Sequence, residues 1–263
     1  MTRENPMNKR TLQSVLLAAA LAAIALAACV ATEIGAESGM QAPQGNPAKE
    51  VSAASQEEGD LGEASVEQDL EALRIEIEYY TPSQTEGPFY PVQMPDDRDN
   101  DLFVVDGAGG RPAGEILVFE GTLYDGAGIP VPGAVVEIWQ TDDNGIYMHP
   151  GDSNSSRRDV NFQSYGESET GPDGRYSFRT IMPGDYNPRP RHIHVKVRMD
   201  GRELLTTQFY FSKDSNAGPD RIFAGAGEEV SALIMEIEEG LDSEGNSVLM
   251  GRRDIVLRDI LSE

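Results

Sequence analysis

The stretch GDYNPRPRHIHVKVRM, residues 184–199, holds two of the chain's three histidines, His192 and His194, one residue apart. On a β-strand, side chains alternate between faces, so both imidazoles point the same way with their Cα atoms about 7 Å apart. That spacing lets both rings reach one metal ion. Ile193, Val195, Val197 and Met199 then point toward a core, while Lys196 and Arg198 share the histidines' face. By itself such a pair is more often part of a solvated polar strand face than a metal site. Two neighbours shift that balance. Tyr186 stands six residues before His192 across a Pro/Gly-containing turn, and Arg189 sits between Pro188 and Pro190, whose rings restrict the backbone. The third histidine, His149, follows Tyr147 in NGIYMHP.

With these residues in view, the chain resembles the intradiol ring-cleavage dioxygenases, which include the protocatechuate 3,4- and catechol 1,2-dioxygenases. The resemblance runs in order through TPSQTEGPFYP (81–91), GAVVEIWQTDDNGIYMH, DGRYSFRTIMPGDY, RPRHIHVKV and LTTQFYF (205–211). Several blocks in register are far more specific than His-x-His alone.

The resemblance implies a ferric ion, Fe(3+), held by Tyr147, Tyr186, His192 and His194. It also implies that Tyr186 leaves the metal to admit substrate and acts as a base. Arg189 matches the family's active-site arginine, and Gln208 in TTQFYF matches a position near the iron. His149 matches a position that is not a ligand. Charge supports the set: a phenol titrates near 10 when free, and a bound cation stabilises its deprotonated form. The implied reaction opens a catechol-type ring with O2 to a muconate-type diacid, so the expected partners are a small aromatic diol and O2. In the protocatechuate enzymes a longer loop separates the second tyrosine from the arginine; here only Asn187 and Pro188 intervene. This points to a more open site and away from protocatechuate. No counterpart of the helical N-terminal domain of the catechol 1,2-dioxygenases is expected in residues 30–78, which are too few and too polar.

The elements that must position these side chains are short strands. EILVFEGTLYD, GAVVEIWQTD, GRYSFRTIM, HIHVKVRM, LLTTQFYF, SALIMEIEE and RRDIVLRDI are rich in β-branched and aromatic residues, with Gly, Pro, Asp and Asn between them. Such spacing predicts an all-β fold, an antiparallel β-sandwich with long loops, over residues 76–263. Trp139 and Phe178 read as core. Arg191 alternates with the core-facing residues and is not assigned to the site.

Before this domain the chain reads differently. MNKRTLQSVLLAAALAAIALAAC has a basic start, then an apolar run from Val15 to Ala28 that is short for a membrane span, which needs about 20 residues. It ends in LAAC, which resembles a bacterial lipoprotein signal: residues 1–28 would be removed and Cys29, the only cysteine, would take lipid. The expected location is therefore the cell envelope, with the membrane contacted through lipid on Cys29. Residues 29–75 read as a flexible acidic tether. Within it, SVEQDLEALRIEIE is compatible with a short helix, with Ser65 and Gln68 fitting a capping box and Val66, Leu70, Leu73 and Ile77 at helical spacing.

Losing residues 1–28 removes Arg3, Lys9, Arg10 and Glu4, taking the net charge from −24 to −26. That surface repels nucleic acid and anionic membrane, and solubility is its simplest reading. The sequence leaves the oligomeric state open. The competing class is a lipid-anchored β-sandwich that binds a partner without catalysis, since GIPVPGAVVEI also suits transthyretin-like and adhesion modules. Metal content and O2 uptake separate the two.

Overall fold

The computed structural model describes residues 67–212, 214 and 220–258. The expected signal at 1–28, Cys29 and the tether as far as residue 66 lie outside the described residues. A short helix, α1, spans 67–72. It stops well short of Ile77, and Ser65 and Val66 are outside the described residues. From Arg74 the chain instead runs extended along the domain. The backbone N–H groups of Ile75, Thr81 and Gln84 donate to the carbonyls of Gly128, Val256 and Thr206 at 3.0, 2.9 and 2.9 Å. Pairing with distant backbone overrides the local helical spacing.

Among the described residues nine strands follow: β1 (Ile116–Tyr124), β2 (Val135–Trp139), β3 (Tyr165–Glu169), β4 (Arg175–Ile181), β5 (His192–Met199), β6 (Arg202–Phe211), β7 (Ile234–Leu241), β8 (Ser247–Arg252) and β9 (Ile255–Val256). Their order is β3-β2-β5-β6-β7-β8-β1-β4, with β9 beside β1. The all-β architecture holds, but the sheet is mixed. β1 pairs in parallel with β8 and β9, as does β6 with β7, while the other pairings are antiparallel. The two halves of the sheet enclose one core. Phe119 and Phe178 from β1 and β4 join Ile138, Val195 and Phe209 from β2, β5 and β6 in a single buried cluster. The Phe119 ring meets Phe209 edge-on at 5.9 Å. β3 and β8 fall in YGESE and SVLMGR, which lack the strong apolar alternation of the other strands.

Alternation decides what β5 offers the site. Ile193, Val195 and Val197 are fully buried in the core. His192, His194 and Lys196 point to the other face yet are only 3 % exposed each, because that face is also covered. β5 lies between β2 and β6, and register places Trp139 and Gln208 on either side of His194 and Tyr210 beside His192.

Candidate metal centre

Tyr147 lies in the loop after β2, and buried carboxylates fix that loop. Asp142 Oδ1 accepts the N–H of Asn144 and Ile146, and Asp152 Oδ2 accepts the N–H of Tyr147 at 3.0 Å. The phenol is thereby carried to β5. Its oxygen lies 3.0 Å from His192 Nε2 and 3.1 Å from His194 Nε2. The two imidazoles are 4.9 Å apart between centroids, at 71°. Tyr186 closes the group from the turn before β5, its ring 5.4 Å from Tyr147 and 6.5 Å from His192. Tyr186 is half-buried and the other three are buried. Phe89 packs against both phenols, at 4.9 and 6.0 Å. All four expected ligands are therefore brought together.

The imidazoles are held in different ways. His192 Nδ1 donates to the Pro190 carbonyl at 2.7 Å, which leaves Nε2 as the lone-pair nitrogen facing Tyr147. His194 lies flat on Trp139, 4.7 Å between centroids and 12° between planes, and its buried Nδ1 has no hydrogen-bond partner. Gly87, at φ +76°, passes so close that a Cβ there would stand 3.3 Å from His194 Cε1. Trp139 is buried as expected, but not in the main cluster. It sits in a separate buried cluster with Tyr147 and Tyr165 that walls the site. Phe178 is in the main core.

Arg189 reaches the site from the same turn as Tyr186. Its Nη1 lies 3.1 Å from His192 Nε2, and its Nη2 donates to Gln208 Oε1 at 2.8 Å and Tyr210 Oη at 3.0 Å. Nε and Nη2 both donate to Asp220 Oδ2, at 2.9 and 2.8 Å. Gln208, fully buried, also donates through Nε2 to the Thr85 carbonyl at 2.7 Å. Of the expected catalytic residues, Arg189 and Gln208 thus border the four-donor group and Tyr186 is part of it, whereas Arg191 turns away to pair with Asp185 at 2.9 Å. His149 stands near the phenols without joining them. Its Nδ1 accepts the Gly151 N–H at 2.9 Å, and its ring lies 5.5 Å from Phe89.

Two residues of this network escaped the sequence reading. Tyr210 was legible in principle, since it follows Gln208 by two on a strand and so shares its face. Asp220 was not, because nothing local marks it. It caps the one-turn helix α2 (Arg221–Ala224), Oδ1 accepting the Ile222 N–H, and meets Arg189 only through the fold.

Burial sets the protonation states. It pushes His192 down to about 4, with the nearby Arg189 adding to the effect, and it holds His194 well below the usual histidine range. Both rings are therefore neutral, with lone pairs available. Burial pushes the Tyr147 and Tyr186 phenols up. Neither phenol ionises readily unless a cation takes the place of its proton. Among the described residues no group of three or more His, Cys, Asp or Glu side chains is placed to hold a metal ion. A metal at the imidazoles would depend on the phenols for its remaining protein ligands.

A family model described as "Dioxygenase" matches residues 85–259. The chain is 36% identical over 181 residues to the protocatechuate 3,4-dioxygenase beta chain of Burkholderia cepacia, covering 65% of this chain and 76% of that protein. It is 32% identical over 198 residues to catechol 1,2-dioxygenase of Acinetobacter baylyi (strain ATCC 33305 / BD413 / ADP1), covering 67% of this chain and 59% of that protein. It therefore spans less than two thirds of the catechol relative's length. The dioxygenase domain of a dioxygenase carbohydrate-binding protein fusion from the cellulolytic bacterium Streptomyces sp. SirexAA-E superimposes with a TM-score of 0.54 at 32% identity, over 70% of this chain and 100% of that one. On these matches, the family model's spanning residues 147, 186, 192 and 194, the chain belongs to the intradiol ring-cleavage dioxygenases, oxidoreductases that cleave aromatic rings with O2.

Proposed function

We propose that Tyr147, Tyr186, His192 and His194 hold Fe(III), and that the protein opens a catechol-type ring with O2 to a muconate-type diacid. One observation carries this reading: the Tyr147 oxygen lies 3.0 and 3.1 Å from the two Nε2 atoms. Three donor atoms this close together are placed for one cation to take the position of the phenol proton between them. The donor chemistry fits as well. Two neutral imidazoles and two phenols that ionise only beside a cation suit a hard trivalent ion, and two phenolates offset two of its charges.

When bound, the ferric ion would supply a Lewis acid that binds both catechol oxygens and makes the electron-rich ring reactive toward O2. The chain's residues do the rest. Tyr186, half-buried and on the turn, is the ligand able to swing out and accept a substrate proton at Oη. Tyr147 is anchored by Asp152 and stays. Arg189, oriented by Asp220, Gln208 and Tyr210, places a cation where negative charge builds on the opening ring. Phe89 and Trp139 exclude water from the buried side. The bond between the two oxygen-bearing carbons breaks and both atoms of O2 end in the product carboxyls. Electrons balance without flavin, nicotinamide or reductant.

The test is purified protein loaded with ferric ion. It should bind iron stoichiometrically, show a visible phenolate-to-iron band and take up O2 with catechol or hydroxyquinol. Protein that binds no iron and stays colourless would refute the assignment. The reading extends to location, with lipid on Cys29 tethering the enzyme outside the cytoplasm. Labelled fatty acid should enter the wild-type chain and not the Cys29→Ser variant; equal labelling of both would remove the tether.

A further inference from the structure

We propose that Lys196 is a positioning residue for the ring-opening centre: its buried ammonium, held to Glu86 and against Tyr90, fixes the segment 86–90 that packs on His194 and both phenols. The inference rests on the ring-opening reading above and adds to it a residue that acts through others.

Lys196 stands two places after His194 on β5 and shares its face. A lysine there would ordinarily run its ammonium out to water. Instead its side chain is only 4 % exposed. Nζ donates to Glu86 Oε2 at 2.5 Å, lies 3.1 Å from Glu203 Oε2, and sits 4.1 Å from the centre of the Tyr90 ring. These partners belong to different parts of the fold. Glu203 is on β6, the neighbouring strand, so that pair ties the sheet to itself. Glu86 and Tyr90 belong to the extended segment ahead of β1.

That segment is tied to the sheet on either side of Glu86. The Gln84 N–H donates to the Thr206 carbonyl at 2.9 Å, and the Thr85 carbonyl accepts Gln208 Nε2 at 2.7 Å. Farther on, Tyr90 Oη donates to Glu137 Oε2 at 2.7 Å. Between these ties the Gly87 N–H turns back to Thr85 Oγ1 at 3.3 Å, and Pro88 brings no N–H. Lys196 supplies the charge-assisted tie there. What it holds is the site. A Cβ on Gly87 would stand 3.3 Å from His194 Cε1. The Phe89 ring lies 4.9 Å from Tyr147 and 6.0 Å from Tyr186. Tyr90 meets Trp139 edge-on at 5.0 Å, and Trp139 is the indole on which His194 lies. One ammonium thus reaches His194 through Gly87 and through Trp139, and the phenols through Phe89.

Burying an ammonium costs much of what its ion pairs return, so these pairs fix geometry more than they add stability. Glu86 and Glu203 are half-exposed, so both return to water when the lysine is replaced. Lys196→Met keeps an unbranched apolar stem and should hold the fold while releasing the segment.

The experiment compares wild type with Lys196→Met, Glu86→Gln and Glu203→Gln. Trp139 is the chain's only tryptophan, and Phe89, Tyr90 and Met94 pack against its cluster. Acrylamide quenching of its fluorescence in iron-free protein therefore reads the segment directly. Quenching should rise in Lys196→Met and Glu86→Gln and stay at the wild-type level in Glu203→Gln. With ferric ion, the first two variants should shift the visible band and bind iron about tenfold more weakly. They should also lower kcat for catechol about tenfold, with KM changed less. Glu203→Gln should match wild type in each, and the urea midpoint of Lys196→Met should equal or exceed that of wild type.

Lys196→Met with wild-type quenching and an unmoved band overturns the inference. So does a Glu203→Gln variant as impaired as Glu86→Gln, or a Lys196→Met whose losses follow a lowered urea midpoint. Wild-type protein that binds no iron overturns the ring-opening reading and this inference with it. Wild-type protein that binds iron and takes up O2, beside an unaltered Lys196→Met, overturns this inference alone.

Discussion

The imidazole of His194 lies flat against the indole of Trp139, 4.7 Å between centroids and 12° apart in plane, while its Nδ1 has no hydrogen-bond partner. His192, two residues earlier, is instead locked by its Nδ1–H to the Pro190 carbonyl. One ring is oriented by a hydrogen bond and the other by stacking.

Trp139 should therefore behave as a positioning residue for His194. Trp139→Phe, which keeps a flat ring, should retain most iron binding. Trp139→Ala should weaken ferric affinity by about tenfold or more, the scale seen when the support behind a metal ligand is lost. It should also destabilise the fold by about 3–5 kcal/mol. Ferric titration followed by the visible band, alongside urea unfolding, separates the two effects. Equal iron affinity in both variants contradicts the role.

Gly87 approaches the same ring at Cε1. Its φ of +76° and the 3.3 Å approach of a built Cβ to His194 Cε1 leave no easy place for a side chain. Gly87→Ala should cost about 1 kcal/mol or more of stability. It should also shift the visible band, because the ring must move. An unshifted band would show that the space behind His194 is not limiting.

Asp220 takes two hydrogen bonds from Arg189 and acts on the site through it. Asp220→Asn should leave iron content unchanged and lower kcat more than it alters KM, by about tenfold. A change in KM alone would assign Asp220 to binding rather than to orienting the guanidinium.

The buried histidines make the metal-free protein acid-sensitive, and the sign follows from their direction. Both are held neutral in the folded state, His192 at about 4 and His194 well below the usual range, whereas in the unfolded chain each titrates near 6.5. Unfolding takes up protons once the pH falls below about 6.5. Stability is therefore full above that value and declines toward pH 4, by up to about 1.4 kcal/mol per pH unit for each histidine. Urea unfolding of iron-free protein between these limits should show the decline. The His192→Gln/His194→Gln variant should show a shallower one, and an equal slope in both would contradict the burial argument.

The sequence carried the site further than the fold around it. The two-residue period of HIHVKVRM placed His192 and His194 on one face and Ile193, Val195 and Val197 on the other, as found. Tyr147, Tyr186, Arg189 and Gln208 were reachable only through ordered motif blocks, because they come from a loop, a turn and a neighbouring strand. Asp220 and the flat packing of Trp139 were hidden, since both arise from contacts between distant segments. The parallel pairings of β1 with β8 and of β6 with β7 were hidden for the same reason. The helix read through Ile77 failed because Ile75 donates to Gly128 instead of continuing the local spiral.

The most direct measurement is resonance Raman excitation within the visible band of iron-loaded wild-type protein and of its Tyr147→Phe variant. Wild type should show tyrosinate–iron modes from two phenolates, and Tyr147→Phe should lose one set and bind ferric ion more weakly. A wild-type protein without tyrosinate modes, or a Tyr147→Phe variant with an unchanged spectrum and iron content, would contradict the four-donor centre.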